Sequence, residues 1–294
     1  MPSIRLTGAE MGHLLSVFTN AYGPFGVRAA ADLVRDAGID ALELALRPHN
    51  FGGLVIPESA VITESASDAE ARAFVDQLAR QNVRVNGCNV GGADLLTIAG
   101  VELTERRIAF AKRWFGVGTV VSGAGQPQDA RERSTILKHL ERIGDFAGNL
   151  GVIVALETHK GPTQNAKAML ALMKDLDHPR VWLNFDTGNI AYYNHGLSPE
   201  TELEKVAPLV RNVHLKDNRA GFEDWYFPEP GAGGAVDFAK IREILDQVRY
   251  PGAYTIEIEG IGGEPEPGLE ERHARICRGV HHLRACGYLA TAAF

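Results

Sequence analysis

Short apolar runs alternate along the chain with longer amphipathic stretches. The runs are HLLSVFT (13–19), ALELAL (41–46), VRVNGCNV (83–90), VGTVVSG (117–123), VIVALE (152–157), VWLNFD (181–186), NVHLK (212–216) and AYTIEIE (253–259). VIVALE shows none of the period-two polar positions that a half-wet strand carries, so it reads as a strand covered on both faces. Between the runs, helical periodicity covers 27–38, 67–82, 102–116, 130–151, 165–176, 199–210, 237–248 and 269–286. Asp237 stands as a candidate N-cap, and Asn149-Leu150-Gly151 reads as a left-handed helix stop. Strand–helix alternation with short connections implies parallel strands joined by right-handed crossovers. Eight such units in 294 residues predict one (β/α)8 barrel, a TIM barrel, as a single domain over 1–294. An open doubly wound sheet is the alternative, but its Gly-rich phosphate turn after the first strand is missing. Two loops are richer than the rest, AGFEDWYFPEPGAGGA (220–235) and GIGGEPEPG (260–268), and each reads as structure over a site.

Composition narrows the class. Apolar residues make up 45% and charged residues 23%, as in ordinary globular proteins. A formal net charge of -7 argues against a grip on phosphate backbones, so no nucleic-acid partner is expected. The three cysteines, Cys88, Cys277 and Cys286, have no disulfide-scaffold spacing and fit a reducing compartment. With no leader pattern at the N-terminus and no run of about 18 apolar residues, the expectation is a cytoplasmic protein without a membrane partner.

In a barrel the chemistry collects at the C-terminal ends of the strands. The fifth run ends in Glu157 and His159, and the sixth in Asp186. The seventh carries His214 and Lys216, and the eighth Glu257 and Glu259. Earlier runs offer Glu43, Asn86, Cys88 and Asn89. Taken singly, each acid is what a loop or a helix cap would supply, and His214 is what a satisfied core would hold. Recurrence on four successive strands points instead to convergence. Three carboxylates and one imidazole suit one hard or borderline divalent ion: Mn²⁺ first, or Mg²⁺, with Co²⁺, Fe²⁺ or Zn²⁺ behind. A cation would also relieve carboxylates crowded in a barrel mouth. Cys88 reads as a small apolar filler.

The motifs ETHKG, NFDTGN, VHLKD and TIEIEG, in that order on the last four strands, resemble the xylose-isomerase-like TIM-barrel superfamily, with GIDALEL of the second strand also matching. That group includes ketose 3-epimerases, hydroxypyruvate isomerases and inosose dehydratases. The resemblance implies metal ligation by Glu157, Asp186, His214 and Glu257, with Glu157 and Glu257 also acting as acid and base. It implies substrate contacts from Arg219, and the neighbouring His159, Lys216, Asn189 and Trp225 join it as substrate-binding candidates. The implied activity is a metal-dependent sugar or keto-sugar isomerase or epimerase that removes and returns a proton through a metal-stabilised enediolate. The alternative is a lyase or dehydratase acting on a keto-sugar, inosose or 3-keto-glycoside. An AP-endonuclease-type nuclease and a non-catalytic sugar-binding barrel stand further off. The expected partner is a small carbohydrate, and a homo-oligomer is an assembly the resemblance allows. Two departures bear on the choice. Asn189 stands where ketose 3-epimerases and AP endonucleases carry a His, and Thr163 where ketose epimerases carry a second Glu.

Overall fold

Eight parallel staves close on themselves: β1 (Leu15–Phe18), β2 (Ala41–Ala45), β3 (Arg84–Asn89), β4 (Thr119–Ser122), β5 (Ile153–Glu157), β6 (Val181–Asp186), β7 (Val210–Leu215) and β8 (Ala253–Ile256). The structure is a computed structural model that describes residues 14–47, 49–51, 54–56 and 60–288. The expected strand start at His13, and the segment read for a leader, lie outside the described residues. Pairing of β1 with β8, Leu15 opposite Tyr254 and Val17 opposite Ile256, seals the ring. β5 lacks polar alternation because helices cover it outside and side chains fill the barrel inside. In β5, Val154, Ala155 and Leu156 are all fully buried.

Among the described residues the outer layer comprises α1 (Gly26–Leu33), α2 (Asp68–Gln81), α3 (Ile98–Phe115), α4 (Ala130–Asn149), α5 (Ala166–Leu176), α6 (Thr187–Tyr193), α7 (Pro199–Val206), α8 (Phe238–Gln247) and α9 (Leu269–Ala285). Most begin on a side chain that accepts an otherwise unpaired amide. Asp237 caps α8 as expected, taking the Lys240 N–H at 2.9 Å. Gly151 follows α4 with φ +69°, a backbone that favours glycine. Two differences from the sequence reading are physical. Helix α3 starts at Ile98, capped by Thr97, because its first turn exposes Ile98 and breaks the apolar period. Helix α6, absent from the helices that periodicity predicts, has seven residues, too few to show a period.

Two features of the frame aim the site. A register shift at Leu183/Asn184 brings Asp186 level with His214 on the neighbouring stave, as a bulge does when it re-aims side chains. The two rich loops then clasp each other above the barrel. Tyr226 and Phe227 pair antiparallel with Ile261 and Gly260, and the Gly262 N–H reaches the Trp225 carbonyl at 2.6 Å.

Candidate active site and metal centre

The four stave ends β5 to β8 bring Glu157, Asp186, His214 and Glu257 together, with one ligand atom from each lying within 4.8 Å of the others. Nδ1 of His214 is 3.0 Å from a Glu257 oxygen, 3.3 Å from a Glu157 oxygen and 4.0 Å from Asp186 Oδ2. Three of these atoms, Asp186 Oδ2, His214 Nδ1 and Glu257 Oε2, are buried with no hydrogen bond. Buried polar atoms are normally satisfied, so three orphans facing one point mark a place for a ligand. Carboxylate oxygens with a single imidazole nitrogen fit a divalent cation such as Mn²⁺ or Mg²⁺.

Each donor is held by its far side. His214 places Nε2 3.0 Å from Glu43, which is fully buried and also accepts from Asn212 at 3.1 Å and Thr255 at 3.2 Å. A carboxylate behind Nε2 keeps the proton there and turns the Nδ1 lone pair toward the cluster. Phe18 stacks on the ring at 5.6 Å. Glu257 Oε1 accepts from Asn20 at 2.8 Å. Asp186 Oδ1 caps α6 by accepting the Asn189 N–H at 2.9 Å, which leaves Oδ2 for the cluster. Thr163 Oγ1 donates to the Glu157 carbonyl at 2.6 Å. The hydroxyl that replaces the ketose epimerases' Glu therefore pins the loop after β5.

Burial pushes the Asp186 carboxyl well above the usual carboxylate range, against the pull of Lys216. The same burial works on Glu257, but Lys216 and His214 outweigh it and hold that carboxyl low. His214 lowers Glu157 in the same way. Burial alone would depress His214; Glu43 and Glu257 reverse this and raise it. Lys216 completes the balance. Its Nζ is 2.5 Å from Glu259, 3.5 Å from Asp186 and 3.7 Å from Glu257, lies 4.4 Å over the Phe227 ring and donates to Asn189 at 3.3 Å.

Above the cluster opens a cavity of about 510 Å³, bordered by Glu157, Glu257, His159, Asn189, Lys216 and Trp225 among others. His159 sits 3.0 Å from the Tyr193 hydroxyl, and burial lowers its pKa, which favours the neutral imidazole. Asn189 donates to the Thr158 carbonyl at 2.9 Å. Trp225 borders the cavity, whereas Phe227 is buried beneath Lys216. Arg219 lies apart from the other candidates. Its guanidinium forks onto Asp224, with Nη2 at 2.9 Å, lies 4.5 Å over Tyr226 and is 55% exposed, so it does not border the cavity. An acid five residues along the same loop captures it. Cys88 is buried in the core, as a filler should be. Sequence reading assigned no role to Glu43, Asn20 or Arg47. For Glu43 a signal existed, an acid between two leucines inside a buried strand.

A family model described as "Xylose isomerase-like TIM barrel" matches residues 31–285. An inosose dehydratase from Clostridium beijerinckii is 32% identical over 136 residues, 41% of this chain and 45% of that protein. The alignment thus spans about half the length of this relative. Among solved structures, a xylose isomerase-like TIM barrel protein from Mycobacterium smegmatis in complex with magnesium is similar with a TM-score of 0.71 at 17% identity, over 96% of this chain and 99% of that one. A D-psicose 3-epimerase determined in the presence of D-fructose gives a TM-score of 0.71 at 16% identity, over 93% and 99%. At these identities the structures speak for the fold alone.

Proposed function

The chain belongs to the xylose isomerase-like TIM barrel family, and from that premise we propose that it is a divalent-metal-dependent dehydratase, a lyase that removes water from a keto-polyol of the inosose type. The observation that carries this reading is the make-up of the cavity wall. Two carboxylates that can take a proton, Glu157 and Glu257, stand beside a His159–Tyr193 pair suited to giving one up. The similarity to an inosose dehydratase supports the same class.

Held by Glu157, Asp186, His214 and Glu257, a divalent ion, which we assign as Mn²⁺ with Mg²⁺ next, supplies Lewis-acid polarisation of a substrate carbonyl. The chain's own groups do the rest. One of the two glutamates takes the proton from the carbon next to the ketone. The electron pair left behind becomes a carbon–carbon double bond as the neighbouring C–O bond breaks. The reacting form carries His159 as the imidazolium, which burial makes the stronger acid; it gives its proton to the departing hydroxyl, which leaves as water, and Tyr193 holds the ring for that transfer. Substrate loses one H₂O and nothing is oxidised or reduced. Lys216 and Asn189 border the space where substrate oxygens lie, and Trp225 offers an apolar wall.

A second reading, epimerisation, is favoured by the fact that both glutamates border the cavity, as two-base proton exchange requires. Asn189 and Thr163 count against its ketose form, since they replace the His and Glu of that pattern. Incubation of 2-keto-myo-inositol with manganese-loaded protein in D₂O separates the two. Dehydration gives a product lighter by one water, read by mass spectrometry. A deuterated isomer that has lost no water would establish the epimerase reading instead.

A further inference from the structure

We infer that Arg47 is a specificity-determining residue that selects substrates bearing a carboxylate remote from the reacting ketone; the inference rests on the dehydratase reading of the same cavity. Arg47 follows β2, the stave that also carries Glu43. It borders the cavity alongside Asn89 of β3, whose carbonyl accepts the Leu46 N–H at 3.1 Å. Glu157, Glu259 and Glu257 act on its charge, yet among the described residues neither Glu157 nor Glu257 forms an ion pair or hydrogen bond with the guanidinium. Among the described residues the other buried cations near this site are spent: Lys216 on Glu259, Asp186 and Glu257, and Arg107 on Glu64. Lys160 borders the cavity too but is exposed to water.

The berth of Arg47 is built. Gly92 has φ +83°, a backbone that favours glycine, and a Cβ there would stand 2.8 Å from Arg47 Cδ and 2.9 Å from Nη1 and push the side chain from its present place. The loop that carries Gly92 is tied down from behind, since buried Arg107 donates to the Gly91 carbonyl at 2.7 Å. A partly buried guanidinium on a fixed shelf, with its donors uncommitted, costs desolvation unless a ligand completes it. The planar fork matches a carboxylate bidentately, which a single hydroxyl cannot do. The ligand class is therefore an acidic keto-sugar, with its ketone end at the metal cluster and its carboxylate at Arg47.

Calorimetric titration of the manganese-loaded protein with 5-keto-D-gluconate and with neutral 2-keto-myo-inositol tests this. Wild type should bind the acid tighter by about ten-fold or more, the scale of a charge-assisted pair. Arg47→Gln should abolish that preference, and Arg47→Lys, which keeps the charge but loses the fork, should retain only part of it. Equal affinity of wild type for both probes, or equal weakening of both by Arg47→Gln, would overturn the assignment. Affinity and release of water are separate readouts, the second by mass spectrometry of the recovered mixture, so a carboxylate preference with no release of water would uphold the role of Arg47 and defeat the dehydratase reading.

Discussion

At the scale of single residues, the site depends on side chains that never touch a substrate. Glu43 sets which nitrogen of His214 faces the cluster. Replacing it with Gln keeps the volume and removes the charge, and Mn²⁺ affinity measured by calorimetry should fall about 10- to 100-fold, as for other carboxylates behind a ligating His. Unchanged affinity would mean that the ring needs no carboxylate to hold its orientation. His159→Gln should leave Mn²⁺ affinity intact and lower kcat by about 10²- to 10⁴-fold, the usual contribution of a positioned acid. A kcat close to wild type would remove His159 from the proton transfer. The four cluster residues were legible in the sequence because each terminates or interrupts an apolar run. Asn20 and Arg47 were not, since they lie in connections where polar residues are ordinary and only the folded chain shows what they face. The resemblance pointed to Arg219 without revealing Asp224 as its partner, which only the folded loop shows.

At the scale of elements, the staves and most helices were legible from period and caps. Helix α6 was not, although it ties fold to chemistry through Asp186, which caps it and also faces the cluster. Asn is as good an N-cap as Asp. Asp186→Asn should therefore leave the metal-free melting temperature undiminished while abolishing the rise that saturating Mn²⁺ gives wild type. For wild type that rise reflects about 2.7 kcal/mol at a hundred-fold excess over Kd. A full metal-dependent rise in the variant would remove Asp186 from the ligand set. The clasp between the 220–235 and 260–268 loops was legible only as two separate rich segments. Its pairing spans two residues on each side, too few for a strand signal.

At the scale of the whole molecule, the barrel is the architecture that eight alternating units predict, and its C-terminal mouth holds the acidic stave ends. No helix among the described residues is long and apolar enough to cross a membrane. Isomerase and lyase were indistinguishable in the sequence for a chemical reason. Both begin with the same proton abstraction beside a ketone, so the ligand set is common to both. What separates them is which other group can protonate a leaving hydroxyl, and the His159–Tyr193 contact that bears on this joins side chains from two different elements. In the proposed reaction these four side chains hold one ion on which dehydration depends. The most direct test of that dependence is to strip the protein with a chelator, add Mn²⁺ stepwise and follow water loss from 2-keto-myo-inositol or an acidic keto-sugar. Stripped protein should give no product, and the rate should rise with added Mn²⁺ to a plateau at one ion per chain. Dehydration by the stripped protein at the full rate, or none at any metal ratio, would contradict that dependence.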